Sequence, residues 1–219
     1  MTKIFLLIVV GVATLGFTTS CTKYNFADTG TSVGYHDCTM WDYFKQDSYN
    51  WDSLVIMAEH AGLQEIFMGT SSYGKNLTVF GMTNHSIRRY LLQNGYEQIA
   101  DVPVEDCSYF ILSSIIEGNQ VIQLDDFTPG IASTDPSTVI GQGGKTYTML
   151  SGKQLWIYTY REPYGGVPQA GPKKIYLASE AAGKTSEVAS CNIMTQTGVV
   201  HALSYDFTPT DFLQNEKII

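Results

Sequence analysis

Residues 77–92 read LTVFGMTNHSIRRYLL, and the fold turns on how they are read. Leu77-Thr78-Val79-Phe80 is an apolar, β-prone run. Gly81-Met82 interrupts it, and Thr83 or Asn84 can then accept a hydrogen bond from the orphan amides that open a helix. The stretch therefore predicts a strand, a tight turn and a capped helix. Within that helix Ile87, Leu91 and the adjacent Tyr90 recur at spacings of three and four, whereas Arg88 and Arg89 fall on another face, so one side is expected to be buried. Far downstream, Gly198-Val199-Val200-His201-Ala202-Leu203-Ser204-Tyr205 is a second β-rich run, opened by glycine and carrying one histidine. The two runs are expected to form the central pair of one sheet.

Both runs carry a family resemblance. Residues 77–84 resemble the opening motif of fasciclin domains, in which a T-V-F-A-P strand leads through T-N into a helix, and residues 198–205 resemble their closing motif, of the type N-G-V-V-H-V-I-D. The resemblance covers residues 38–213 and implies a single α+β domain, a β-sheet wedge packed by several N-terminal and central helices. It places Thr83, Asn84 and His201 in the structural motif, and it implies adhesion or extracellular ligand binding. In animal fasciclin domains a central helix commonly ends in a Tyr-His pair linked to adhesion receptors. This chain has Ser113-Ser114 at the corresponding place, within ILSSIIEG, so that motif is not carried over.

Outward from the motifs, the N-terminus is the most informative region. Lys3 precedes an apolar run over residues 4–17, short for a bilayer span and the right length for a signal-peptide core. Thr18-Thr19-Ser20-Cys21 follows, similar to a bacterial lipoprotein processing site, although Thr18 stands where most such sites carry leucine. Residues 1–20 are thus read as a signal peptide, Cys21 as the lipidated residue, 21–37 as a tether rich in Thr, Gly and Asp, and 214–219 as a tail. Ordinary secretion and an uncleaved anchor are the alternatives. The chain carries 13 basic and 21 acidic residues, a net charge of −8. Removing Lys3 with the signal peptide leaves 12 basic residues and a net charge of −9. That sign disfavours nucleic acid and anionic headgroups, so the expected partners are a membrane, through the lipid, and a glycan or protein ligand.

With Cys21 assigned to lipid, Cys38, Cys107 and Cys191 remain. They allow one disulfide and one spare thiol, or three reduced cysteines, and their spacing matches no zinc pattern. A short helix is expected from Thr39 and a longer one from an Asn50 cap to a Gly62 stop, with Asp52 complementing its dipole. Another helix is expected from Pro103 towards Gly118. Strands are expected at 121–124, 146–150, 154–160, 174–177, 188–194 and 198–205, with a long polar loop over 125–145.

Chemical motifs are few. Gly143-Gly144-Lys145-Thr146 lacks the leading glycine of a phosphate loop, since Val139 stands there, and it leads into a strand. Asp125-Asp126 reads as a solvated acidic turn in place of a calcium loop, His60 as a surface or capping residue, and no G-x-S-x-G elbow occurs. His201, inside a strand, is expected to be held by backbone or by the Thr83-Asn84 turn and not to be catalytic. No metal or cofactor is implied. What remains is surface recognition. Trp156, Tyr158 and Tyr160 share one strand face, with Tyr164 in the next loop, and such a row serves either the core or a ligand. Tyr158, Tyr160 and Tyr164 are the candidate ligand-binding residues. The expected function is a lipid-anchored envelope protein, an outer-membrane lipoprotein in adhesion or ligand binding. A glycan-capturing accessory beside an outer-membrane transporter and an enzyme of unrecognised type are the alternatives.

Overall fold

The computed structural model describes residues 34–212. The signal peptide, Cys21 and most of the tether, at one end, and the 214–219 tail lie outside the described residues. Helices α1 (Met40–Gln46), α2 (Ser48–Ala61) and α3 (Gln64–Met68) come first, then β1 (Leu77–Gly81), α4 (Asn84–Asn94) and α5 (Val104–Ser113). The strands β2 (Gly130–Ile131), β3 (Gln142–Gly143), β4 (Lys145–Thr148), β5 (Gln154–Arg161), β6 (Lys173–Ser179), β7 (Lys184–Thr195) and β8 (Gly198–Leu203) complete the fold.

The opening and closing motifs lie side by side. β1 and β8 pair in parallel, from Leu77 opposite Gly198 to Gly81 opposite Ala202, and both are buried throughout, as a strand covered on two faces requires. They are not central, however. The six-stranded order is β1-β8-β7-β6-β5-β4, all other pairings being antiparallel, so β1 stands at one end. Residues following α5 bring the two ends of the sheet together: Ile115 bridges Val79 of β1, and Ile116 bridges Met149 just beyond β4. Phe80 N–H donates to Ser114 O and Leu150 N–H to Ile115 O, so the sheet curls into a wedge around one core. This is why α5 stops at Ser113, where the sequence suggested a helix continuing towards Gly118: Ile115 and Ile116 are used as strand.

Residues 121–124, expected as a strand, are irregular, because side chains take their backbone groups before a ladder can. Thr78 Oγ1 accepts from Ile122 N–H at 2.9 Å, Asn192 Oδ1 from Leu124 N–H at 2.8 Å, and Ile122 O meets His201 Nε2 at 2.9 Å. The helices show a similar exchange. Thr39, where a short helix was expected to begin, caps α1 by accepting from Asp42 N–H. α2 instead starts at Ser48 after Asp47, with Asn50 inside its first turn donating to Asp47. Gly62 ends it in the left-handed conformation (φ 67°) that the stop needed. Tyr35 and His36, within the segment expected as tether, meet β7: Tyr35 bridges Met194 and His36 N–H donates to Met194 O.

Candidate binding cleft

Neither Thr83 nor Asn84 caps α4 through its side chain. Thr83 Oγ1 lies 3.3 Å from Ser86 Oγ, while the Asn84 carboxamide reaches α2. It accepts from Ser53 N–H at 2.7 Å and donates to Tyr49 O and Ser48 O, each at 2.8 Å. Tyr49 and Ser53 are four apart, so Asn84 bridges an acceptor and a donor of one helical turn and fastens α2 to the start of α4. The carboxamide expected to cap its own helix thus serves the neighbouring one, while the Thr83 hydroxyl stays with the first turn of α4.

His201 is 0% exposed, stacked on Phe80 and edge-on to Phe127 at centroid distances of 5.6 Å. Its ring nitrogens meet Ile122 O and, at 3.4 Å, Asn192 N–H. Because the amide can only donate, Nδ1 is the acceptor and Nε2 carries the proton. Burial lowers its pKa to about 4. Both partners are backbone, and neither belongs to the Thr83-Asn84 turn. His60 bonds Val102 O at 2.9 Å, a structural link between α2 and the segment before α5. Cys38, Cys107 and Cys191 are free thiols.

The aromatic row divides. Trp156 and Tyr158 stack at 4.3 Å and Tyr158 stacks on Tyr176 at 5.2 Å. Val139 and Ile140 cover this cluster, Trp156 is 4% exposed and Tyr158 3%, so Tyr158 has no free face for a ligand. The cover is the 125–145 segment, expected as open loop. In it β2 and β3 form a small ribbon, and Trp156 Nε1 donates to Gly143 O at 3.0 Å. The ribbon sits this close because its glycines permit it. A Cβ on Gly130 would lie 2.7 Å from Tyr158 Cβ, and one on Gly144, at φ 62°, 2.6 Å from the Trp156 indole nitrogen. Of the two glycines of the rejected phosphate-loop motif, Gly144 thus fits the lid to the aromatic row, and Gly143 lets the ribbon close on its own backbone at Pro129 and Gly130.

Where the lid ends, a cleft of about 560 Å³ opens beside the last residues of β5. β4 stops opposite Ile157, and the lid takes over the edge: Thr159 N–H donates to Thr128 O at 3.1 Å. Tyr160 and Arg161 line the cleft from β5, with Ile131 and Gln142 from the ribbon. Gln169 lines it from the loop returning to β6, Lys173 from the start of β6, and Asp125 from the segment before the ribbon. Lys173 Nζ pairs with Asp125 Oδ1 at 2.9 Å, and this bond holds the Asp125 carboxyl below the usual carboxylate range. Arg161, exposed, donates one bond, from Nη1 to Gly171 O at 3.2 Å. Tyr164 is 74% exposed at the tip of the 162–171 loop, where it and Val167 exchange backbone hydrogen bonds. Of the three candidate tyrosines, then, Tyr160 lines the cleft, Tyr164 stands on the loop that closes one side of it, and Tyr158 lies beneath the lid. Arg161, Lys173, Gln142 and Gln169 were not foreseen. The only available signal was that Arg161 follows the aromatic row directly.

No family model and no curated protein matches the chain. Among solved structures it is similar to a FAS1 domain pair from the insect cell adhesion molecule Fasciclin I, at 10% identity and a TM-score of 0.52, over 80% of this chain. It spans about half of that pair, 53%. Motifs, curled sheet and structural likeness agree that the described residues have a single FAS1-like, or fasciclin-like, α+β fold.

Proposed function

We propose that this protein is a lipid-anchored binding module of a bacterial cell envelope, held through Cys21 and acting in adhesion or extracellular ligand capture. The observation that carries the proposal is the cleft at the end of β5, where an aromatic ring, two cations, a carboxylate and two carboxamides converge on a space within the roughly 300–1,000 Å³ typical of small-ligand sites. The fold recurs in an insect cell adhesion molecule, which supports a holding role. The apolar run over residues 4–17, followed by Ser20-Cys21, supports a lipid anchor, and the outer membrane is the proposed site of it. Among the described residues no helix is long and apolar enough to cross a membrane. An enzyme built on His201 is disfavoured, because both ring nitrogens are engaged by backbone and the ring meets no solvent.

The accessory-lipoprotein reading is favoured by the same cleft, whose mix of donors and acceptors suits hydroxyl-rich ligands. Radioactive palmitate incorporation that is lost in Cys21→Ala, with protease shaving of intact cells, tests the anchor and the exposed face. Tyr160→Ala with Tyr164→Ala should lower binding to glycans or cells and leave the melting temperature nearly unchanged. Equal loss of both would assign these rings to the core and refute the proposal.

A further inference from the structure

The cleft at the end of β5 is unevenly satisfied, and that unevenness identifies what it is built to hold. Lys173 is already neutralised by Asp125 at 2.9 Å. Arg161 feels that carboxylate only at longer range: one N–H is spent on Gly171 O, which anchors the guanidinium, and Arg161 forms no ion pair among the described residues. A guanidinium carries five donors in a planar fork, so most of its capacity remains for a planar anion. Counting Arg161, Lys173 and Asp125, the lining holds two cations and one carboxylate, a local excess of positive charge on a chain whose net charge is −8. Tyr160, half-buried beside it, offers an aromatic surface, and Gln142 and Gln169 bring carboxamides, each both donor and acceptor.

The backbone supports the same location. Among the described residues three non-glycine positions have positive φ: Asn119, Gln169 and Asn192. Two of them use their side chains at once, since Asn119 Oδ1 accepts from Asn76 N–H and Asn192 Oδ1 from Leu124 N–H. Gln169, at φ 58°, is exposed and lines the cleft. Backbone strain of this kind recurs at ligand clamps, and here the strained residue without an internal use for its side chain stands in the cleft wall.

Resting on the proposed function and narrowing it, we infer that this cleft binds an acidic sugar residue of a glycan. The sugar carboxylate is gripped by the Arg161 fork, the ring lies against Tyr160, and the hydroxyls are met by Gln142 and Gln169. A neutral sugar would leave the guanidinium unpaired, and a small carboxylate alone would leave Tyr160 and both carboxamides unused.

The test is calorimetric titration of the full chain, solubilised in detergent, with a short oligogalacturonate and a matched neutral galacto-oligosaccharide. The expected result is binding of the acidic oligosaccharide that weakens with added sodium chloride, with the neutral one at least about tenfold weaker. Arg161→Gln should lower affinity about tenfold or more while the melting temperature holds, because the residue is exposed. Arg161→Lys, which keeps charge but loses the fork, should fall between, and Asp125→Asn, which removes a competing carboxylate, should tighten binding. Equal affinity for the two oligosaccharides overturns the charge assignment. Unchanged affinity in Arg161→Gln overturns the site, and so does weaker binding in Asp125→Asn. In each of these cases retained adhesion to cells would leave the proposed function standing. A wild-type chain that binds neither glycans nor cells overturns both.

Discussion

His201 makes this fold sensitive to acid over a defined range. Burial gives it a pKa of about 4 in the folded state, against an ordinary 6.5. Protonation would also place a proton on Nδ1 against the Asn192 N–H it now accepts. The depressed value means that folding favours the neutral ring. The stability this supplies is complete above pH 6.5, declines as pH falls below that, and is exhausted near pH 4. Linkage between the two values predicts a loss of about 2 kcal/mol by pH 5 and about 3 kcal/mol by pH 4, a large part of the margin of an ordinary domain. The perturbation is His201→Gln, which can keep the donor to Ile122 O without titrating. Urea unfolding of wild type and variant from pH 8 to pH 4 reports the difference, in which His36, His60, His85 and the carboxylates cancel. The variant should be weaker at pH 8, by about 1–3 kcal/mol for a disturbed buried polar group, and the gap should close on acidification. Parallel midpoints across the whole range, or a His201 resonance titrating near 6.5, would refute the reasoning.

The lid and the polar joints give further expectations. Gly144→Ala forces a Cβ against the Trp156 indole at a positive φ, and should cost about 1–3 kcal/mol and shift Trp156 fluorescence towards that of an exposed indole. Unchanged emission and stability would mean that the ribbon does not rest on the ring. Asn84→Ala strands Ser53 N–H and the carbonyls of Ser48 and Tyr49, and should lower the unfolding free energy by about 1–3 kcal/mol, with hydrogen exchange accelerated at the start of α2. The Lys153 amine is buried without a hydrogen-bond partner and burial pulls its pKa down to about 8, so Lys153→Met should raise the urea midpoint at pH 7, where the charged form is penalised, and gain little at pH 10. The Cys107 thiol is pushed up to about 11 by burial, so iodoacetamide should modify it only after denaturation, as read by mass spectrometry.

How much of this was legible in the chain depends on the distance over which each signal acts. The strand at 77–81 and the helix after it were readable because apolar spacing and a glycine break are local, and β8 was readable because its apolar run is unbroken. The partners of polar groups were not. Asn84 looks like a cap from its own neighbours, yet its carboxamide bonds residues 31 to 36 positions away. Residues 121–124 have strand composition, but Thr78, Asn192 and His201 claim their backbone groups from elsewhere in the chain. Local propensity cannot register a competitor that only the tertiary fold brings near.

The cleft shows the same limit more sharply. Alternation along β5 correctly separated Leu155, Ile157 and Thr159 from Trp156, Tyr158 and Tyr160, but could not say that both faces are covered, because the second cover is a polar, glycine-rich segment without a hydrophobic period. Val139 and Ile140 supply its apolar contact, and Gly130 and Gly144 let its backbone approach two stacked rings. Those rings are therefore spent on holding the lid. The next residues along β5, Tyr160 and Arg161, lie at the lid's edge and are left to face the cleft. The extent of the cleft accordingly depends on where the aromatic row stops being covered, and any change that slides the ribbon along β5 would carry Ile131 and Gln142 with it and reshape the space beside Tyr160 and Arg161.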